Sequence, residues 1–192
     1  MLDLLEIKKL SKNIDIAALN IVRENIEIEI LESFSRSELS RRVIFYGGTA
    51  IRLAYNGPRF SEDLDFIFET QSKRDPKELE SILNNVSKNH DGIALEEIYD
   101  KRNTLFGLVH ISNPILKHPI RVKIEISKKS NKQSSEYLML NSPCSILNPI
   151  IKTSSLKCLI ENKLEAIKTR NESNFFQEIG RIPGILICER VS

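Results

Sequence analysis

An alternation of acidic and apolar residues over positions 63–68 most constrains the fold of this chain. Successive side chains of a strand point to opposite faces, so Asp63 and Asp65 emerge together while Leu64, Phe66 and Phe68 face the other way. The apolar face has to pack on a core, which predicts a strand in a sheet with one covered face. Two carboxylates about 6 to 7 Å apart along a strand repel each other unless a cation lies between them, and hard oxygen ligands suit Mg²⁺.

A glycine pair lies shortly before this strand. The apolar run 43–46 ends at Gly47-Gly48, and apolar residues then recur at helical spacing, which predicts strand, turn and helix with Thr49 as the N-cap. Backbone N–H groups of such a turn, together with the helix N-terminus, can hold a triphosphate. A glycine pair before a helix is also an ordinary turn, and the chain contains no Gly-Lys-Ser/Thr phosphate-binding sequence.

Composition indicates a soluble protein. The 192 residues are 41% apolar and 28% charged, and no apolar run approaches the roughly 20 residues that a membrane-spanning helix needs. The net charge of +2 does not by itself indicate a nucleic-acid-binding protein. Cys144, Cys158 and Cys188 lack metal-ligand spacing and follow no signal-like start, so we expect reduced thiols in the cytoplasm.

Apolar periodicity predicts the remaining elements. We expect helices over 15–34, 76–89 and 155–170, antiparallel strands over 93–99 and 105–112, a strand over 120–127 and a polar loop over 128–136. Residues 171–192 lack clear periodicity. We therefore expect a domain over residues 1–150, followed by a helical segment over 151–192.

Two lysines and a third carboxylate are further candidates. Lys123 and Glu125 share the polar face of the strand over 120–127, although a surface stripe of charges would show the same pattern. Lys163 falls within an apolar helical stripe, where it either reaches a ligand or extends its ammonium to water.

Taken together, the motifs resemble the AbiEii/AbiGii toxin family of nucleotidyltransferases. The resemblance rests on Gly47-Gly48-Thr49, residues 59–66, Lys123 with Glu125, and residues 162–166, in the family's order. It implies an α+β fold of the DNA-polymerase-β-like nucleotidyltransferase type, a short mixed sheet flanked by helices. The C-terminal helical part would be shorter here than in the family.

The resemblance also implies roles for individual residues. Asp63, Asp65 and Glu125 would be catalytic residues and ligands of Mg²⁺ or Mn²⁺, while Gly47, Gly48, Thr49, Ser61, Lys123 and Lys163 would bind the NTP. The protein would be the toxin of a toxin–antitoxin or phage-defence system, partnered by a cognate antitoxin. It would transfer a nucleoside monophosphate to RNA, including transfer RNA, or to a protein hydroxyl.

Two alternatives stay open. One is a nucleotide-binding or partner-binding module that has lost turnover. The other is a sugar-nucleotide transferase, because Asp-x-Asp sequences also bind metal diphosphates there, although the glycine turn disfavours it.

Overall fold

A mixed seven-stranded sheet forms the centre of the protein, whose computed structural model describes residues 7, 9–11, 17–129 and 133–169. The strands are β1 Val43–Tyr46, β2 Asp63–Phe68, β3 Ile93–Asp100, β4 Thr104–Ile111, β5 Ile120–Ser127, β6 Ser135–Met139 and β7 Ile150–Ser154. The helices are α1 Ala18–Ser35, α2 Gly47–Ala54, α3 Asp75–Asn89 and α4 Leu156–Thr169, with a 3₁₀ turn at Leu39–Arg41. The strands lie in the order β3-β4-β5-β2-β1-β7-β6.

Strand β2 lies in the middle of this sheet. It pairs antiparallel with β1 and parallel with β5. The hairpin of β3 and β4 precedes β5 in the chain and extends the sheet on that side, while β7 pairs parallel with β1 on the other side. The two acidic positions of β2 therefore have a neighbouring strand on each side.

One face of the sheet is covered by α1 and α3. Phe34 of α1 stacks on Phe66 of β2 with ring centroids 4.6 Å apart, and Phe45 packs on the same ring at 5.1 Å. Leu83 of α3 packs over Gly107, where a Cβ atom would meet the leucine methyl at 2.6 Å. The apolar side chains of β2 and β5 point into this core, so their charged side chains point to the opposite face.

The expected α+β fold, a mixed sheet flanked by helices, is confirmed. The predicted hairpin, the strand over 120–127 and the three long helices all form, with ends that differ by up to three residues. Residues 15, 16 and 170, which the predicted helices include, lie outside the described residues.

Three local predictions were wrong or incomplete. Strands β6 and β7 were not predicted, and the polar loop over 128–136 overlaps the start of β6 at Ser135. Thr49 is not the N-cap: α2 begins at Gly47, and the buried Thr49 hydroxyl donates to the backbone carbonyl of Asp63 at 2.5 Å. A hydroxyl that satisfies a neighbouring strand is unavailable to cap its own helix.

The domain boundary at residue 150 stays a prediction. The sheet itself continues through β7 to Ser154, and residues 171–192 lie outside the described part of the chain. Among the described residues, no helix has both the length and the apolar character to cross a membrane.

Candidate functional site

The three predicted carboxylates lie on adjacent strands, on the face opposite the core that Phe34 and Phe66 share. In the parallel pairing of β2 with β5, Asp63 is opposite Lys123 and Asp65 is opposite Glu125. Neighbouring strands are about 4.8 Å apart, so the pairing places four charged side chains within a small area. Because side chains alternate along a strand, the charged side chains of each strand share one face, and the pairing of the two strands brings them together.

Lys123 contacts two of these carboxylates. Its Nζ atom lies 3.1 Å from Asp63 Oδ2 and 3.5 Å from Glu125 Oε2. Partial burial lowers the pKa of Lys123, but the hydrogen bond and charge of Asp63 and the charges of Glu125 and Asp65 outweigh it, so the pKa is raised. The ammonium therefore stays charged and offsets part of the acidic cluster.

The carboxyl of Asp65 has a raised pKa. Burial and the neighbouring charge of Asp63 raise the pKa of its carboxyl to about 6, with Glu125 adding to the shift and Lys123 opposing it. Tyr46, opposite Asp65 on β1, has its pKa raised to about 12 by burial and by the charges of Asp65 and Glu125. The centre of the site is thus a region of excess negative charge.

The glycine turn lies directly against β2. Gly47 has a φ of +83°, which disfavours any side chain, and a Cβ atom there would overlap Asp65 Oδ2. At Gly48 a Cβ atom would lie 2.8 Å from Ser61 Oγ. The structure therefore brings Gly47, Gly48 and Ser61 together beside Asp65, because only residues without side chains allow this approach.

An arginine of α2 fixes the segment that leads into β2. Arg52 donates from Nε to Glu24 at 2.8 Å and from Nη1 to the carbonyl of Gly57 at 3.0 Å. Its guanidinium lies 4.1 Å from the ring centroid of Phe60. One side chain thus joins α1, the turn after α2 and the residue preceding Ser61.

Lys163 lies on α4, which packs against α2. It is half-buried within its helical stripe, and Leu159 is fully buried there. The helix that carries Lys163 therefore adjoins the helix that begins with Gly47. A nucleotide contact by Lys163 stays a prediction.

The carboxylates of this site are the candidate ligands of a divalent cation. Among the described residues, no three or more His, Cys, Asp and Glu side chains are positioned to hold a metal ion. Asp63, Asp65 and Glu125 nevertheless supply hard oxygen donors on adjacent strands, and burial together with the charges of Asp63 and Glu125 raises the pKa of Asp65. In ligand type and charge, these residues fit Mg²⁺ or Mn²⁺.

Sequence reasoning missed two contributors to this site. Tyr46 ends β1 and directly precedes the glycine turn, a position that could have indicated that it lies at the site; it pairs with Asp65. Arg52 carried no local signal, because its partners Glu24 and Gly57 come from separate parts of the chain.

The sheet, the glycine turn and the acidic strands define the nucleotidyltransferase fold class. The chain belongs to the AbiEii family: the model of the nucleotidyl transferase AbiEii toxin of type IV toxin–antitoxin systems matches residues 29–174. No curated protein matches the chain.

Several solved structures are similar to this chain. JHP933 from Helicobacter pylori has a TM-score of 0.58 at 22% identity over 79% of this chain and 59% of its own. An inferred nucleotidyltransferase from H. pylori has a TM-score of 0.54 at 22% identity, covering 78% of this chain and 59% of its own. The nucleotidyltransferase toxin MenT4 from Mycobacterium tuberculosis has a TM-score of 0.48 at 18% identity, covering 78% and 52%.

The chain thus spans 59% of the length of each H. pylori protein.

Proposed function

We propose that the protein is a metal-dependent nucleotidyltransferase that moves a nucleoside monophosphate from an NTP to a hydroxyl of RNA or protein. The observation that carries this proposal is the pairing of Asp65 with Glu125 and of Asp63 with Lys123, directly beside the turn at Gly47. Acidic ligands next to a backbone turn that can hold phosphates are the parts that phosphoryl transfer requires.

The triphosphate would lie at the β1 side of the carboxylates. There the N–H groups at the start of α2 and the Ser61 hydroxyl are available to phosphate oxygens, and Gly47 and Gly48 allow close approach. Thr49 supports the turn indirectly, through its hydrogen bond to the backbone of Asp63. Lys123, and Lys163 from α4, would supply positive charge to the nucleotide.

The reaction is a substitution at phosphorus. An acceptor hydroxyl oxygen forms a bond to Pα, and the bond from Pα to the oxygen bridging to Pβ breaks, with its electron pair leaving on pyrophosphate. Glu125 would take the hydroxyl proton, since it lies one strand beyond Asp65 on the side away from the glycine turn. Divalent cations held by Asp63, Asp65 and Glu125 would stabilise the negative charge on the phosphates.

The proposed biological setting is supported by the family match. As an AbiEii protein, the chain would act as the toxin of a toxin–antitoxin or phage-defence system in the bacterial cytoplasm, controlled by a cognate antitoxin.

Incubation with each of the four α-³²P-labelled NTPs, Mg²⁺, and cellular RNA or protein tests the activity. We expect label from at least one NTP to enter a macromolecule, and Asp63→Asn and Asp65→Asn to abolish this transfer. Asparagine keeps the side-chain size and removes a repelling charge, so both variants should stay folded. Metal-dependent NTP binding in calorimetry without any transfer would instead support the binding module.

A further inference from the structure

Two stacked aromatic rings lie on the same sheet face as the carboxylates. The rings of Tyr99 on β3 and Phe106 on β4 have centroids 4.5 Å apart and planes inclined by 10°. Lys101 Nζ lies 4.1 Å from the centroid of Tyr99. Both aromatic residues are only half-buried, so this stack belongs to the surface rather than to the core.

Strand register places the stack in one row with the acidic centre. Tyr99 pairs with Phe106, Phe106 with Glu125, and Glu125 with Asp65. Because neighbouring strands are about 4.8 Å apart, the backbone of Phe106 lies one strand spacing from that of Glu125 and two strand spacings from that of Asp65. Tyr99 thus stacks on Phe106 from the β3 side, while Glu125 is the neighbour of Phe106 on the β5 side.

The two ends of the row differ in chemistry. The glycine turn adjoins Asp65 on the β1 side, where the triphosphate would lie. The aromatic stack adjoins Glu125 on the opposite side, from which a second substrate would reach the α-phosphate. The acceptor would thus approach past Phe106.

Basic residues lie in the chain segments next to the stack, where the exposed Asp100 forms an ion pair with Lys128. Lys101 and Arg102 are exposed in the turn between β3 and β4, and the exposed Lys129 follows β5. The backbone N–H of Lys128 donates to the carbonyl of Asn103 at 2.9 Å, which holds the end of β5 against that turn. Flat rings followed by cations are the complement of stacked bases and their phosphates.

We propose that Tyr99, Phe106, Lys101 and Arg102 bind the acceptor as a single-stranded RNA, with a base on the Phe106 ring and phosphates at the turn. This inference rests on the proposed function, and it selects RNA over protein as the acceptor. A base stacked there would set the adjoining ribose hydroxyl beside Glu125.

Binding of a fluorescein-labelled 12-nucleotide single-stranded RNA of mixed sequence, measured by anisotropy without NTP, tests the proposal. We expect Phe106→Leu and Tyr99→Leu each to weaken binding about 10- to 100-fold, since leucine keeps apolar bulk but offers no flat ring. The Lys101→Gln/Arg102→Gln variant changes exposed side chains only, so it should stay folded. It should weaken binding and reduce its salt dependence.

Matched controls come from elsewhere on the protein. Tyr137 is an exposed aromatic residue of β6, at the opposite edge of the same sheet, and Tyr137→Leu should leave RNA binding unchanged. Lys77 and Lys88 are exposed on α3, which covers the other face, so Lys77→Gln/Lys88→Gln removes equal charge without effect.

RNA binding that is unchanged in the aromatic and basic variants would overturn the proposal, as would label transfer to protein alone. Transfer of label to RNA with an unchanged KM for RNA in Phe106→Leu would reject the platform and keep the proposed function. Platform-dependent RNA binding without transfer of any nucleotide would keep the platform and reject the function.

Discussion

Gly47 is held by two constraints that act on a single residue. Its φ of +83° costs other residues about 1 to 2 kcal/mol, and a Cβ atom would displace the Asp65 carboxylate. We therefore expect Gly47→Ala to lower the free energy of unfolding by about 1 to 3 kcal/mol and to abolish NTP binding. Urea unfolding and calorimetry with MgATP and the other three NTPs measure the two effects.

Gly92 provides the matched control for that substitution. It has the same φ of +83°, and its Cβ atom would overlap the backbone carbonyl of Ser112, remote from the carboxylates. Gly92→Ala should thus destabilise the protein without a specific loss of NTP affinity. If Gly47→Ala and Gly92→Ala bind NTP with equal affinity, the proposed role of Gly47 in NTP binding is contradicted.

Glu27 of α1 is a buried carboxyl whose Oε1 atom has no hydrogen-bond partner. Burial and the charge of Glu24 raise its pKa well above the usual 4.5, against the opposing charge of Arg23. A carboxyl with a raised folded-state pKa binds more protons when folded, so its contribution to stability is present below pH 4.5 and is lost as the pH rises.

Glu27→Gln removes this pH dependence. Relative to wild type, the variant should gain free energy of unfolding as the pH rises above the usual carboxyl pKa, measured by urea denaturation from pH 4 to pH 8. Glu80, exposed on α3, supplies the control Glu80→Gln, whose profile should follow that of wild type. If the free energy of unfolding of Glu27→Gln and that of wild type depend on pH in the same way, the raised pKa of Glu27 is contradicted.

At the scale of elements, Arg52 ties α1 and α2 to the segment before β2. Its partner Glu24 is 2% exposed, so Arg52→Met leaves a buried charge unpaired and should cost about 3 to 5 kcal/mol in urea unfolding. Adding Glu24→Gln should recover part of this loss. Arg121 makes a similar two-point pair with Glu96 on an exposed surface, and Arg121→Met should hardly change stability.

If Arg52→Met lowers the free energy of unfolding no more than Arg121→Met does, burial does not determine the energy of the Arg52–Glu24 pair.

Periodicity predicts elements where one face is buried and fails where burial is slight or polar. Alternation identified β5 because its four inward residues are apolar. Strand β6 was missed because it is an edge strand with no fully buried side chain, and β7 because it buries Thr153 and Ser154. In both cases the local sequence lacks the hydrophobic contrast on which such predictions depend.

At the scale of the whole molecule, sequence identified the acidic residues but not their arrangement. Alternation put Asp63 and Asp65 on one face and Lys123 and Glu125 on one face of another strand. Their meeting depends on the pairing of β2 with β5, which are separated by α3 and a hairpin. Register between strands distant in sequence is set by packing of the whole core, which no local pattern encodes.

The proposed function depends on this pairing of β2 with β5. If the row from the glycine turn to Glu125 is a site of nucleotidyl transfer, the α-phosphate should move to the acceptor while the β- and γ-phosphates leave together.

The most direct test compares α-³²P-labelled and γ-³²P-labelled NTP with Mg²⁺ and cellular RNA, for wild type, Asp65→Asn, Glu125→Gln and the control Glu80→Gln. We expect wild type and Glu80→Gln to transfer only the α-label to RNA and to release the γ-label as pyrophosphate, and the two site variants to transfer neither. Entry of the γ-label into RNA, or undiminished α-label transfer by Asp65→Asn, would contradict the proposed function.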